Sequence, residues 1–195
     1  MIVGVGVFLL GCRDITYTQY DYHQYRGPGS YLTTNSYQAE ADTYIERQWH
    51  YNMMEIPEAW GILNDKDLYW SGGETTVAVV DSGVVSHTDL DANIVEGYDF
   101  VDNDTDPTDE GSVDAGDVLH GTHVAGTIAA VTANDQGVAG VGYDRINVMP
   151  VRVVDADGRA FTTTVAKGIR YAAGLTVDGV TASRKASVVN ISLGA

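Results

Sequence analysis

The run Thr76-Val77-Ala78-Val79-Val80-Asp81-Ser82-Gly83 constrains the fold of this chain more than any other segment. Residues 77–80 are continuously apolar and rich in β-branched valine, the pattern of a strand buried on both faces of a parallel sheet. Asp81 then falls at the carboxyl end of that strand, the edge where open α/β sheets gather ligand and catalytic groups. A carboxylate there is costly to bury unless something hydrogen-bonds it, so a partner is expected. The alternative is an aspartate that only caps the following turn.

The candidate partner is His120, which opens a stretch of small and apolar residues running to Thr132. Gly126 sits inside this helical stretch, where glycine costs about 1 kcal/mol relative to alanine. The expectation is that the helix passes very close to a neighbouring backbone there. Gly121, Ala125, Ala129 and Ala130 extend the smooth character, so the segment reads as a buried helix with a histidine in its first turn. A neutral imidazole so placed can take a proton from a nucleophile while an aspartate holds its other nitrogen. His120 and His123 also share a helix face, which leaves a metal site open. No Glu follows His120 as in H-E-x-x-H, and no third ligand stands out. His123 alone reads as a core histidine.

Together, Asp81-Ser82-Gly83 and His120-Gly121-Thr122-His123-Val124-Ala125-Gly126-Thr127 resemble the subtilisin-like serine proteases, the subtilases. Val148–Val154 with Ala156-Asp157-Gly158 resembles the next strand and the substrate-facing loop of that family, and Val188–Gly194 resembles its N-x-S-L-G strand. The resemblance runs from about Gln48 to Ala195. It implies an Asp, His, Ser triad with Asp81 and His120 as its first two members. It also implies that Gly158-Arg159-Ala160 and Ser192-Leu193-Gly194 flank a substrate peptide held as an added strand. The G-T-S-x-A serine and the oxyanion asparagine of the family are not found in the 195 residues; Ser82 and Ser192 read as a turn residue and a substrate-strand residue. Ala195 stands where the family usually has glycine.

The chain carries 11 basic and 27 acidic residues, a net charge of −16, which argues against nucleic acid or anionic lipid as a partner. Much of the acid lies between Asp99 and Asp117, a stretch without Lys or Arg, which reads as a solvated loop. Yet Asp102, Asp104 and Asp106 repeat carboxylates at alternate positions, as a hard cation with oxygen ligands would require. Pro107 and Val113 exclude an EF-hand. The segment resembles the calcium loop of thermitase-like subtilases, which implies Asp99, Asp102, Asp104, Asp106 and Thr108 as Ca2+ ligands. The resemblance further implies Asp89 in a second calcium site, to be completed by the turn Asn134-Asp135-Gln136-Gly137.

Residues 1–12 are mostly apolar and end in Leu9-Leu10-Gly11-Cys12, which resembles a bacterial lipobox with Cys12 as lipid anchor. The stretch is too short to span a bilayer, and no Lys or Arg precedes Cys12 as a secretory signal should have. The only cysteine of the chain cannot form an internal disulfide. Residues 13–47 are polar and tyrosine-rich, a tether, and too short and unpatterned to be a folded inhibitory propeptide. Residues 48–195 form the enzyme portion, with a short helix opening at Ile56-Pro57 and surface segments expected at 65–75 and 176–185.

Strands near 77–81, 94–98, 146–153 and 187–192 alternate with helices near 120–132 and 162–173. That order predicts a doubly wound α/β fold, a mostly parallel sheet with helices on both faces, incomplete at its carboxyl end. The function expected is a secreted or cell-envelope-anchored bacterial serine endopeptidase, acting as a monomer on polypeptides and touching membrane only through Cys12. The rival is an inactive, calcium-stabilised peptide-binding or decoy protein.

Overall fold

A computed structural model describes residues 42–65, 75–111 and 119–194. Cys12, the tether up to residue 41, most of the 65–75 segment and Asp114 to Val118 lie outside the described residues. Four parallel strands form one sheet in the order β2-β3-β1-β4, with β1 Thr75–Asp81, β2 Tyr98–Asp99, β3 Ile146–Arg152 and β4 Val188–Asn190.

Alternation along the central strands decides which helix packs where. Val79 and Val148 point to one face and meet Val124, Ala125 and Ala129 of helix α3 (His120–Ala129). Ala78, Val80, Met149 and Val151 point to the other and meet Tyr171 and Ala172 of helix α4 (Thr162–Ala172). Helices on both faces of a parallel sheet make this the doubly wound fold expected, and explain why β1 is apolar without alternation. Gly168 lets α4 lie flat on the valines, since a Cβ there would sit 2.7 Å from a Val153 methyl.

Pro150 stands in the middle of β3, where a missing N–H normally breaks a ladder. Even-numbered residues of β3 aim their backbone groups at the β2 side, as the bonds Val95 N–H to Val148 O and Phe100 N–H to Arg152 O show. The missing donor therefore falls in the gap between the Ile94–Val148 bridge and β2, and no β1–β3 hydrogen bond is lost.

Several expected boundaries move. Helix α3 stops at Ala129, because Ala130 turns extended, Gly140 N–H bonds its carbonyl and Val131 N–H bonds Asp89 O. The close approach expected at Gly126 is absent, with nothing within 4 Å of a Cβ built there; it occurs at Gly121, whose Cβ would fall 2.2 Å from Gly83 O. Only one face of α3 is buried, and His123 is exposed rather than a core histidine. Residues 176–185 lie mostly at the surface as expected, but Val177 is buried and Val180 and Ala182 pack on the α4 cluster, which anchors the segment. Strand β4 ends at Asn190, two residues short of the expected limit.

Residues 42–47, expected to close the tether, pack on the body of the protein. Buried Asp42 accepts the Ala133 and Asn134 N–H groups, and Tyr44 N–H bonds Gly137 O. Helix α1 (Trp49–Met53) and helix α2 (Ile56–Asp65) follow, with Tyr51 and Trp60 buried against Ala139. His50 of α1 has a depressed pKa, from burial first and the charge of His123 second. The unfolded imidazole titrates near its ordinary 6.5. The unfolded chain therefore binds more protons as pH falls through that value, and stability present above pH 6.5 is lost below it. The urea midpoint should fall between pH 7.5 and 5.5, and less so in His50→Gln; equal slopes would assign the pH dependence to other groups.

Candidate active site

The catalytic candidates of the sequence, Asp81 and His120, come together. Asp81 ends β1 fully buried, and its Oδ1 lies 2.8 Å from Nδ1 of His120, the first residue of α3. The same oxygen accepts the Ser82 N–H at 2.8 Å. Oδ2 of Asp81 is buried without a hydrogen-bond partner among the described residues. An ionised carboxylate only accepts, so the pairing places a proton on Nδ1. The imidazole side chain is 38% exposed. It is therefore held from behind and open in front, leaving Nε2 as the nitrogen through which it can exchange a proton with a bound group.

Three contacts dock the first turn of α3 onto the turn after β1. Besides the His120–Asp81 bond, Gly121 N–H donates to Ser82 Oγ at 3.0 Å and Val85 N–H donates to Thr122 Oγ1 at 3.0 Å. The H-G-T order thus supplies an imidazole, a residue without a side chain at the point of closest approach, and a hydroxyl. Ser82 Oγ in turn donates to Asp109 Oδ2 at 2.5 Å. The sequence marks Ser82 as a turn residue and Asp109 as one more acid of a solvated loop; in the structure Ser82 bonds α3 and Asp109 bonds Ser82.

Three acids of the loop, Asp99, Asp102 and Glu110, form an ion-pair network around one buried cation. Arg152, at the end of β3 and 2% exposed, donates through Nη1 to Asp99 at 2.6 Å and Asp102 at 2.7 Å, and through Nη2 to Glu110 at 2.9 Å. Burial works to lower the guanidinium pKa, but these carboxylates outweigh it and hold the group above its ordinary value. Asp99 Oδ1 also takes the Val101 and Asp102 N–H groups. Asp104 and Asp106 are exposed and cap their own turns, Asp106 holding the Thr108 hydroxyl at 2.6 Å. Among the described residues no three acidic, His or Cys side chains converge as a metal-holding group. That covers Asp99 to Gly111 of the acidic loop and the His120 and His123 pair.

Asp89 does meet the turn expected to complete its site. Its Oδ1 accepts the Asn134 amide at 2.8 Å and its Oδ2 the Val138 N–H at 3.0 Å. Gly137 has φ +42° and a Cβ there would strike Asp89 Oδ2. Asp42, which the sequence offered no signal for, grips the same turn through Ala133 and Asn134.

Of the expected substrate edges, Gly158-Arg159-Ala160 is an exposed hairpin arm: Gly158 adopts φ +76°, Asp155 N–H bonds Arg159 O, and Val154 bridges Ala160. Ser192 receives the Asn190 amide at 2.9 Å, Leu193 packs on the α4 cluster, and Gly194 is exposed.

Comparison with known proteins supports the same assignment. Residues 72–195 match the peptidase S8 subtilase family. An extracellular protease of Xanthomonas campestris pv. campestris is 39% identical over 179 residues, 78% of this chain and 29% of that protein. An extracellular basic protease of Dichelobacter nodosus is 36% identical over 184 residues, 80% of this chain and 29% of that protein. Thermitase of Thermoactinomyces vulgaris is 38% identical over 152 residues, 77% of this chain and 46% of thermitase. The chain thus spans less than half the length of these relatives. A solved structure described as proteases from Pseudoalteromonas arctica superposes with a TM-score of 0.67 at 38% identity, covering 78% of this chain and 50% of that one. With the family match, the shared parallel sheet and the paired Asp81 and His120 all agreeing, this chain belongs to the subtilase family of serine peptidases.

Proposed function

We propose that residues 42–195 are the part of a secreted serine endopeptidase that carries the acid and base of its triad. The observation that supports this most is the 2.8 Å contact between buried Asp81 and half-open His120. In the proposed reaction His120 Nε2 takes the proton of a serine hydroxyl lying outside these residues as that oxygen bonds to the substrate carbonyl. The imidazolium, steadied by Asp81, then gives the proton to the departing amine as the amide C–N bond breaks. Water repeats the cycle on the acyl-enzyme and frees the serine. The hairpin at Gly158-Arg159-Ala160 and the segment Ser192-Leu193-Gly194 are the proposed peptide-binding edges. Extracellular relatives and the lipobox-like Cys12 together support export, with Cys12 as anchor.

The test is to read the coding DNA past codon 195 and express the continuous frame. Cleavage of a protein substrate, blocked by a serine-directed phosphonylating reagent, is the expected result. A frame without a serine motif, yielding a protein that binds peptides without cutting them, would replace this reading with a binding or decoy role.

Calcium enters the proposal as a structural ion of the Asp99–Thr108 loop. Three carboxylates meet a single guanidinium at Arg152, so negative charge is in excess, and every candidate donor is oxygen, which suits a hard cation. Asp99 and Asp102 would have to be shared with Arg152. Calcium at a hundredfold excess over its Kd would add about 2.7 kcal/mol, several degrees of Tm. Chelator should remove that gain, and an unchanged melting curve would remove calcium from the loop.

A further inference from the structure

We propose that Ser82 and Asp109 are positioning residues for His120, a capping pair that holds the start of helix α3 against the Asp81 strand; the inference rests on the Asp81–His120 reading above. The first N–H groups of a helix have no partner within it. Leu119, at the N-cap of α3, supplies no side-chain cap. The cap comes instead from Ser82, whose Oγ accepts the Gly121 N–H at 3.0 Å across 39 residues of sequence.

Asp109 decides which way that hydroxyl points. Its side chain is buried, its Oδ1 takes the Gly111 N–H at 2.9 Å, and its Oδ2 lies 2.5 Å from Ser82 Oγ. A carboxylate can only accept, so the Ser82 proton goes to Asp109 and a lone pair is left aimed at Gly121. A hydroxyl polarised by a charged acceptor is itself a stronger acceptor, which tightens the cap. The loop cannot drift away, because Val84 N–H bonds Pro107 O at 2.9 Å and Gly83 runs so close that a Cβ would meet Pro107 O at 2.5 Å.

Ser82 thereby contacts all three parts of the arrangement. Its N–H donates to Asp81 Oδ1, the oxygen that pairs with His120; its Oγ holds Gly121, the residue after His120; and its proton is held by Asp109. Without the hydroxyl, Gly121 N–H and Asp109 Oδ2 both lose a partner where the backbones are closest. The start of α3 is then free to rock, and the imidazole loses its fixed distance to Asp81.

Proton NMR of this chain tests the pair without requiring activity. The Nδ1 proton of an imidazole bonded to a carboxylate resonates well downfield of the amides, and Asp81→Asn identifies the signal by abolishing it. In Ser82→Ala the resonance should be lost to solvent exchange while the far-ultraviolet circular dichroism is kept, and Ser82→Thr should restore it. Should Ser82→Ala not fold, Asp109→Asn, which keeps an acceptor but no charge, should move the same resonance upfield. A resonance unmoved in folded Ser82→Ala or in Asp109→Asn would overturn the positioning role and leave the Asp81–His120 pair intact. Its absence from the unsubstituted chain would overturn the pair and with it this inference.

Discussion

Replacing Arg152 with methionine is expected to destabilise the fold by about 3–5 kcal/mol, the usual cost of leaving a buried charge without its partner. The loss comes almost wholly from Asp99, which is 1% exposed. Asp102 and Glu110 are more than half exposed, and such pairs are worth about 0–1 kcal/mol each. Asp99 Oδ1 would keep its two backbone donors while Oδ2 lost the guanidinium. Arg152→Lys should fall in between, because one ammonium cannot span three carboxylates as a planar fork does. Adding Asp99→Asn to Arg152→Met should recover a large part of the loss. Urea denaturation of the three variants measures this, and a loss below 1 kcal/mol in Arg152→Met would mean that the network is only a surface decoration.

The second large effect concerns catalysis in the proposed endopeptidase. Asp81→Asn and His120→Ala should each lower kcat by about 10⁴-fold or more with a much smaller change in KM, the scale on which triad members act. The reason differs for the two. His120→Ala removes the base itself, whereas Asp81→Asn leaves the ring in place but offers Nδ1 an amide that can force the wrong tautomer. The double variant should be hardly worse than His120→Ala, since the two side chains act as one unit. Additive losses, or an Asp81→Asn enzyme within tenfold of the parent, would separate them.

How much of this could be read beforehand depended on the range of the interactions involved. Strand β1 and helix α3 were legible because a continuous valine run and a small-residue helix carry their burial in their own composition. Asp81 and His120 were legible because the motifs around them are local. Gly126 shows the limit: a helical glycine signals a close approach, but which of Gly121 and Gly126 faces the neighbour depends on how the helix is turned, which its neighbours set. Residues 176–185 are mostly polar and mostly exposed, as their composition suggests, yet Val177 among them is buried because α4 and the sheet leave room for it. Asp42 pairs with residues more than 90 positions away, and no local pattern announces such a partner.

The amino-acid sequence by itself determined the parallel sheet, the helices on its two faces and the acid and histidine at its carboxyl edge, since each follows from periodicity or from residues adjacent in the chain. Tertiary structure alone decided the partners of the polar groups that lie outside the recognisable motifs. It gave Asp99 to Arg152, Ser82 to Asp109 and Gly121, and Asp42 to Ala133 and Asn134. Apolar burial is non-directional and survives as a pattern along the chain, whereas a hydrogen bond needs a partner at about 3 Å and a fixed angle, which only the packed backbone can place.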